Sequence, residues 1–291
     1  PNIVPIHDVG MDGPDDYYFV MKYVDGETLE TIIEKLAAGD PAYHARFTFE
    51  RRVELFIGIL HAIEYAHSKS IIHRDIKPAN IMVGPHGEVL VMDWGVAKKH
   101  GVTDAAATTA DAPADDAHDL YRTRAGSLVG TPAYMSPEQA RGEVDKIDER
   151  SDIYSLCVLF YELLALTHYL PDRATVPAML AAITDEDHVN ASRLPANPHQ
   201  TPVPAELGWF VERGLAKDPA ERFQSTSEMT THLYQVLGGH FAVQCPVTFM
   251  KKVGGTGVRF ADRHPMLAML GTATLVGLVA FAVFQLARMI V

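Results

Sequence analysis

His73-Arg74-Asp75-Ile76-Lys77-Pro78-Ala79-Asn80 is the stretch on which the reading of this chain turns. It sets a carboxylate, an ammonium two residues on and a neutral amide close together. Asp93-Trp94-Gly95 and then Ser136-Pro137-Glu138 follow it in the chain. Asp75 alone reads as a solvated charged turn after a helix; three such motifs in this order do not. Upstream, Thr48 to Ser68 carries Val53, Phe56, Ile57, Leu60 and Ile63 at the i, i+3, i+4 spacing of an amphipathic helix. Downstream, Asn80-Ile81-Met82-Val83 and Val89-Leu90-Val91-Met92 flank Gly84-Pro85-His86-Gly87, predicting a small hairpin that ends at Asp93. Tyr17 to Gly26 predicts a strand running into a turn. Ser151 through Ala165 predicts a buried helix, with Ser151 and Asp152 suited to cap it.

The three motifs together resemble the catalytic loop, the metal-binding loop and the end of the activation segment of eukaryotic-type (Hanks-type) protein kinases. The resemblance runs from residue 1 to about 237 and is closest to a bacterial, membrane-anchored serine/threonine kinase. It implies an α+β, kinase-like fold with a mostly helical C-lobe and an incomplete N-lobe sheet. Residues 1–24 would be a remnant of the N-lobe and hinge. Residues 25–238 would be the C-lobe, with catalytic loop 73–80 and activation segment 93–138.

The implied chemistry is transfer of the γ-phosphate of ATP, with Mg²⁺, to Ser or Thr hydroxyls of proteins. Such transfer rests on alignment and charge rather than covalent catalysis by the protein. By the resemblance, Asp75 accepts or orients the hydroxyl proton and Lys77 reaches the transferred phosphate as a point charge. Asn80 and Asp93 offer the hard oxygens that suit Mg²⁺. Met21 would be the gatekeeper, the backbone of Lys22 and Val24 would hydrogen-bond adenine, and Met82 would floor its pocket; Met82 is equally well read as ordinary core. His73, Arg74 and Asp152 would hold the catalytic loop, and Arg222 would pair with Glu138. Lys77 with Pro78 and Asn80 resembles the serine/threonine subclass. So does Gly130-Thr131-Pro132-Ala133-Tyr134, where the Thr131 hydroxyl would sit against Asp75 and Lys77 in a peptide-binding platform. Three positions depart from the family pattern: Trp94 for a phenylalanine, Cys157 for a glycine and Lys22 for an acidic residue.

Val102 to Asp119, inside the activation segment, is rich in Ala, Asp and Thr with almost no large apolar residue. Such composition cannot repay ordering entropy and predicts a mobile loop. Arg74 beside Asp75 is placed to pair with a phosphorylated loop residue. Thr123 and Ser127 are the first candidates, with Thr108 and Thr109 behind them.

The chain has 291 residues, room for one domain of about 240 plus a tail. A net charge of −12 argues against nucleic acid as partner. Cys157 and Cys245 form no disulfide framework and fit a reducing cytoplasmic setting. Met266 to Phe284 is apolar and uncharged, long enough to span a bilayer, and predicts a single transmembrane helix over 265–287. Lys251, Lys252, Arg259 and Arg263 precede it within a basic juxtamembrane linker, 239–264, so the positive-inside rule puts the kinase side in the cytoplasm. A homodimer is compatible with this layout. Pro1 is not an initiator methionine, so the chain is expected to be an N-terminally truncated fragment or a processed product. No glycine-rich loop or strand lysine precedes the hinge in it, and Gly254-Gly255-Thr256-Gly257 reads as linker. Alone, this chain is expected to transfer phosphate weakly. Two rivals remain at this stage: a degenerate pseudokinase acting as a membrane-anchored binding module, and a small-molecule phosphotransferase.

Overall fold

The computed structural model describes residues 2–11, 17–99, 132–195, 197–239 and 248. Thr123, Ser127, Thr131, the 265–287 helix and nearly all of the 239–264 linker lie outside them. Among the described residues no helix is long and apolar enough to cross a membrane. The chain divides into one unit over 1–234 and a second over 235–291; the fold and site described below belong to the first, apart from the last residues of its final helix.

Strands β1 (Ile6–Met11) and β2 (Tyr17–Met21) form an antiparallel pair with Val9 opposite Phe19. The predicted strand occupies Tyr17–Met21, and the chain then leaves the sheet for a bend at Gly26, as the sequence predicts. β3 (Glu27–Thr28), β5 (Ile81–Val83) and β6 (Val89–Val91) make a three-stranded antiparallel sheet. The chain start is tied to this sheet, for the Val91 N–H donates to Asn2 O (2.8 Å) and the Val4 N–H to Val91 O (3.2 Å). β4 (Ile71–Ile72) pairs with β7 (Lys98–Lys99).

The rest is helical: α1 (Leu29–Ala37), α2 (Pro41–Arg46), α3 (Phe49–Ser68), α4 (Pro137–Ala140), α5 (Glu149–Ala165), α6 (Val176–Asp185), α7 (Ala205–Gly214) and α8 (Thr226–Leu237). α3 begins where the sequence places it, with Thr48 Oγ1 accepting the Arg51 N–H (3.4 Å) as N-cap. It buries Val53, Phe56, Ile57, Leu60 and Ile63, the predicted stripe, and also Leu55, Ile59 and Ala62. The buried face is wider than the stripe because α3 packs on both α5 and β6.

α5 is the centre of the core, buried along its length except at Glu149, Arg150 and Glu162. Such a helix needs no polar face, which explains its continuous apolar run. Phe160 of α5 stacks on Phe56 of α3 (4.1 Å between centroids, 4°), and Phe210 of α7 meets both edge-on. Arg52, 2 % exposed, joins α3 to the end of α5: its Nη1 donates to Leu163 O (3.2 Å) and Gln200 Oε1 (2.8 Å). Its acceptors are all neutral, and burial pulls the guanidinium down to about 10.

The expected cap of α5 is corrected. The helix starts at Glu149 with Asp148 as N-cap, its Oδ1 accepting the Arg150 N–H (2.8 Å). Ser151 and Asp152 lie inside the first turn, buried, and their side chains make tertiary bonds instead. Cys157 is accommodated at its glycine-like position by a second glycine. A Cβ on Gly214 of α7 would stand 2.0 Å from Cys157 Sγ, so the sulfur fills space that any larger residue at 214 would need.

Candidate active site

α3 and β4 deliver the chain to the loop at His73, through a left-handed turn at Ser70 (φ 58°). Arg74 is also left-handed (φ 71°), a conformation unfavourable for a non-glycine residue unless its surroundings impose it. Asp152 imposes it. Its buried carboxylate accepts the His73 N–H (2.8 Å), the Arg74 N–H (2.9 Å) and a bond from His67 Nε2 (2.8 Å). On the far side, Gln139 Nε2 donates to the Arg74 carbonyl (3.0 Å). Gln139 is held by a capping box with Ser136 at the start of α4.

That clamp presents Asp75. Lys77 Nζ lies 2.7 Å from Asp75 Oδ2, and Asn80 Nδ2 donates to the same oxygen (3.1 Å) and to the Asp75 carbonyl (2.8 Å). The Asp75 side chain is one-third exposed, so it faces solvent on a side that these bonds leave open. His73 beneath it receives the Asp75 N–H on Nδ1 (3.4 Å) and meets Met92 O through Nε2 (3.2 Å). Because a carbonyl can only accept, the His73 proton belongs on Nε2. The indole of Trp94 packs on the His73 ring (4.5 Å). An aromatic thus does support the loop, but the extra donor that tryptophan brings, Nε1, is buried without a partner.

The hairpin brings Asn80 and Asp93 to one end. Ile81 pairs with Val91, and the Met92 N–H donates to Asn80 O (2.9 Å), so the two ends of the hairpin lie side by side. Asp93 is left-handed (φ 56°) and exposed, with only Oδ1 engaged, by the Gly95 N–H (3.3 Å). The Asn80 amide spends its N–H₂ on Asp75 and so turns its oxygen away as a free acceptor. An amide oxygen and a carboxylate, both hard donors with open positions, fit Mg²⁺, which would complete its coordination with water and phosphate oxygens.

Around the expected adenine site, the Lys22 N–H is taken by Pro5 O (3.0 Å), which leaves the Lys22 carbonyl as the group available to a ligand. Met82 is half-buried between fully buried Ile81 and Val83, and it pairs across the sheet with Leu90 and Thr28.

At the third motif, Arg222 Nη1 and Nη2 donate to Glu138 Oε1 (2.8 Å) and Oε2 (2.9 Å), while Ser151 Oγ adds a bond to Oε1 (2.6 Å). Burial alone would push the Glu138 carboxyl up. The bonds and charge of Arg222 outweigh it and hold the carboxyl below the usual range. Sequence reasoning missed His67, Gln139 and the partners of Ser151. Only Gln139 carried a signal, the Ser-x-x-Gln spacing of a capping box.

This arrangement, an acid held by a lysine and an amide beside a second acid at a hairpin's end, is that of the protein kinase domain, which matches residues 1–235. The chain belongs to the protein kinase family. It is 35% identical over 272 residues to a probable serine/threonine-protein kinase of Streptomyces coelicolor, covering 92% of this chain and 36% of that protein. It is 36% identical over 249 residues to the serine/threonine-protein kinase PknD of Protochlamydia amoebophila (82% of this chain, 24% of PknD). Against the serine/threonine-protein kinase PknB of Mycobacterium tuberculosis it is 35% identical over 243 residues (82% and 34%). The chain thus spans only about a quarter to a third of the length of these relatives.

Proposed function

We propose that the protein is a serine/threonine protein kinase acting in membrane-linked signalling. The observation that carries this reading is the single bonded set Asp75–Lys77–Asn80 at 2.7 and 3.1 Å, with Asp93 at the adjoining hairpin end. Asp75 takes the hydroxyl proton on its open side. Lys77, within reach of both Asp75 and the incoming phosphate, places positive charge where negative charge moves. Asn80 and Asp93 would hold Mg²⁺, which supplies neutralisation of the ATP phosphates. The Lys22 carbonyl and the Val24 N–H would read adenine above Met82. The serine/threonine relatives and the Lys77-Pro78 pattern favour Ser or Thr as acceptor.

Arg74 Nε is buried without a partner, which supports pairing of this arginine with a phosphorylated Thr123 or Ser127. The uncharged 266–284 stretch and the basic residues before it support a single-pass anchor with the kinase domain on the cytoplasmic side. The test is the intact mass of the native, membrane-extracted protein before and after Mg-ATP, alone and with a general Ser/Thr protein substrate. Phosphate increments that fall by about 10²- to 10⁴-fold in rate in Asp75→Asn are expected. No increment on either protein with the native chain defeats the proposal.

A further inference from the structure

Towards the end of the activation segment, Pro132–Tyr134 is a single turn of 3₁₀ helix leading into α4. The α4 helix that follows it is tied to the reacting loop, for the Gln139 amide bonds the Arg74 carbonyl next to Asp75 (3.0 Å). On the kinase reading this turn belongs to the peptide-binding platform, past which a hydroxyl presented to Asp75 would bring its flanking chain. Two contacts hold the turn from below. The Tyr134 hydroxyl bonds Glu162 near the end of α5. The buried Ala133 carbonyl meets His168 Nε2 at 3.2 Å, from a residue just past the end of α5.

His168 is built to make that bond. Ala133 O can only accept, so Nε2 carries the proton. Nδ1 faces both main-chain groups of Leu170, its N–H at 3.2 Å and its carbonyl at 3.0 Å, so the ring stays tied there whether Nδ1 accepts or donates. Tyr134 stands edge-on to the ring (5.5 Å, 84°) and Tyr169 tilts against it (4.7 Å, 57°). Tyr169 is itself buried and anchored through its hydroxyl to Tyr154 (3.0 Å). The ring therefore has one orientation, and that orientation points a donor at the substrate-side turn.

We propose that His168 is a positioning residue for the protein substrate. It fixes the Pro132–Tyr134 turn through Ala133 O, and so sets which residue is accepted next to the phosphorylated Ser or Thr. This inference rests on the kinase reading above. His168→Leu keeps the bulk and removes the donor; His168→Gln restores an N–H at similar reach. With the native chain otherwise intact, His168→Leu raises the KM for a peptide substrate about five- to thirty-fold, the effect of one buried bond. It leaves kcat and the KM for ATP within about two-fold, changes the preferred residue beside the acceptor in a peptide library, and His168→Gln recovers most of the loss.

Amide exchange reads the clamp without activity. Met135, whose N–H bonds Pro132 O (3.0 Å), exchanges faster in His168→Leu and is protected again in His168→Gln. Unchanged exchange at Met135, or an unchanged peptide KM and preference, overturns the proposal, as does a parallel fall in kcat that glutamine fails to rescue. A native protein that transfers no phosphate defeats the kinase reading and the peptide role with it. Faster exchange in His168→Leu would then show that the clamp is structural only.

Discussion

Replacing Glu138 by glutamine would leave Arg222 charged at a site where it is 0 % exposed. In the native arrangement the guanidinium's N–H donors are all used. Two reach Glu138, and the others reach the carbonyls of Ala216 (2.8 Å), Arg150 (2.8 Å) and Lys217 (3.1 Å). Glutamine keeps one acceptor, turns an N–H₂ group towards the guanidinium and removes the compensating charge. Breaking a buried pair from one side costs about 3–5 kcal/mol, a large share of the ~5–15 kcal/mol that holds a domain together. Arg222→Met breaks the pair from the other side and strands a carboxylate whose chief remaining partner is Ser151. Replacing both, as Glu138→Leu with Arg222→Met, removes the buried charges together and should cost less than either single change.

The pH dependence separates these cases. Native Glu138 has its folded pKa below the ordinary value of 4.5, so its contribution is complete above that pH. The contribution is lost as pH falls through the folded value. In Arg222→Met the sign reverses: burial now raises the folded pKa, so the destabilisation is greatest near neutrality and fades on acidification. Urea unfolding followed by tryptophan fluorescence, at pH 7 and stepwise down to pH 4, measures all four proteins. A Glu138→Gln loss under about 1 kcal/mol, or a double variant equal to the sum of the singles, would refute the reasoning.

Two further outcomes are expected. Gly214→Ala should destabilise by about 1–3 kcal/mol, since its Cβ would stand 2.0 Å from Cys157 Sγ and 2.8 Å from its Cβ; adding Cys157→Gly should recover part of that despite the helix glycine, and a thermal melt of Gly214→Ala unchanged from native would count against the packing. Thr123→Ala with Ser127→Ala should hold phosphate transfer at its unphosphorylated level, as read by the initial rate after Mg-ATP preincubation; a native rate would remove the switch proposed for Arg74.

What the sequence determined by itself was local. Helix α3 was legible because its core face repeats at helical spacing and Thr48 caps it with its own hydroxyl. The hairpin was legible because two apolar runs flank a glycine-bounded turn, and Asp75, Lys77 and Asn80 because they lie within one short loop. Even so, α5 starts at Glu149 and not at Ser151: both stretches offer capping residues, and only packing shows that Ser151 and Asp152 are needed elsewhere. The tertiary structure alone decided the bonds from His67 to Asp152, Gln139 to Arg74 O and His168 to Ala133 O. Their partners are 85, 65 and 35 residues apart. No periodicity or cap signal encodes such a pairing, because each bond exists only once α3, α5 and the catalytic loop have buried their apolar faces together. A lone histidine or glutamine in a sequence looks the same whether it is solvated or serves as the sole donor to a buried carbonyl; the fold makes that choice by excluding water.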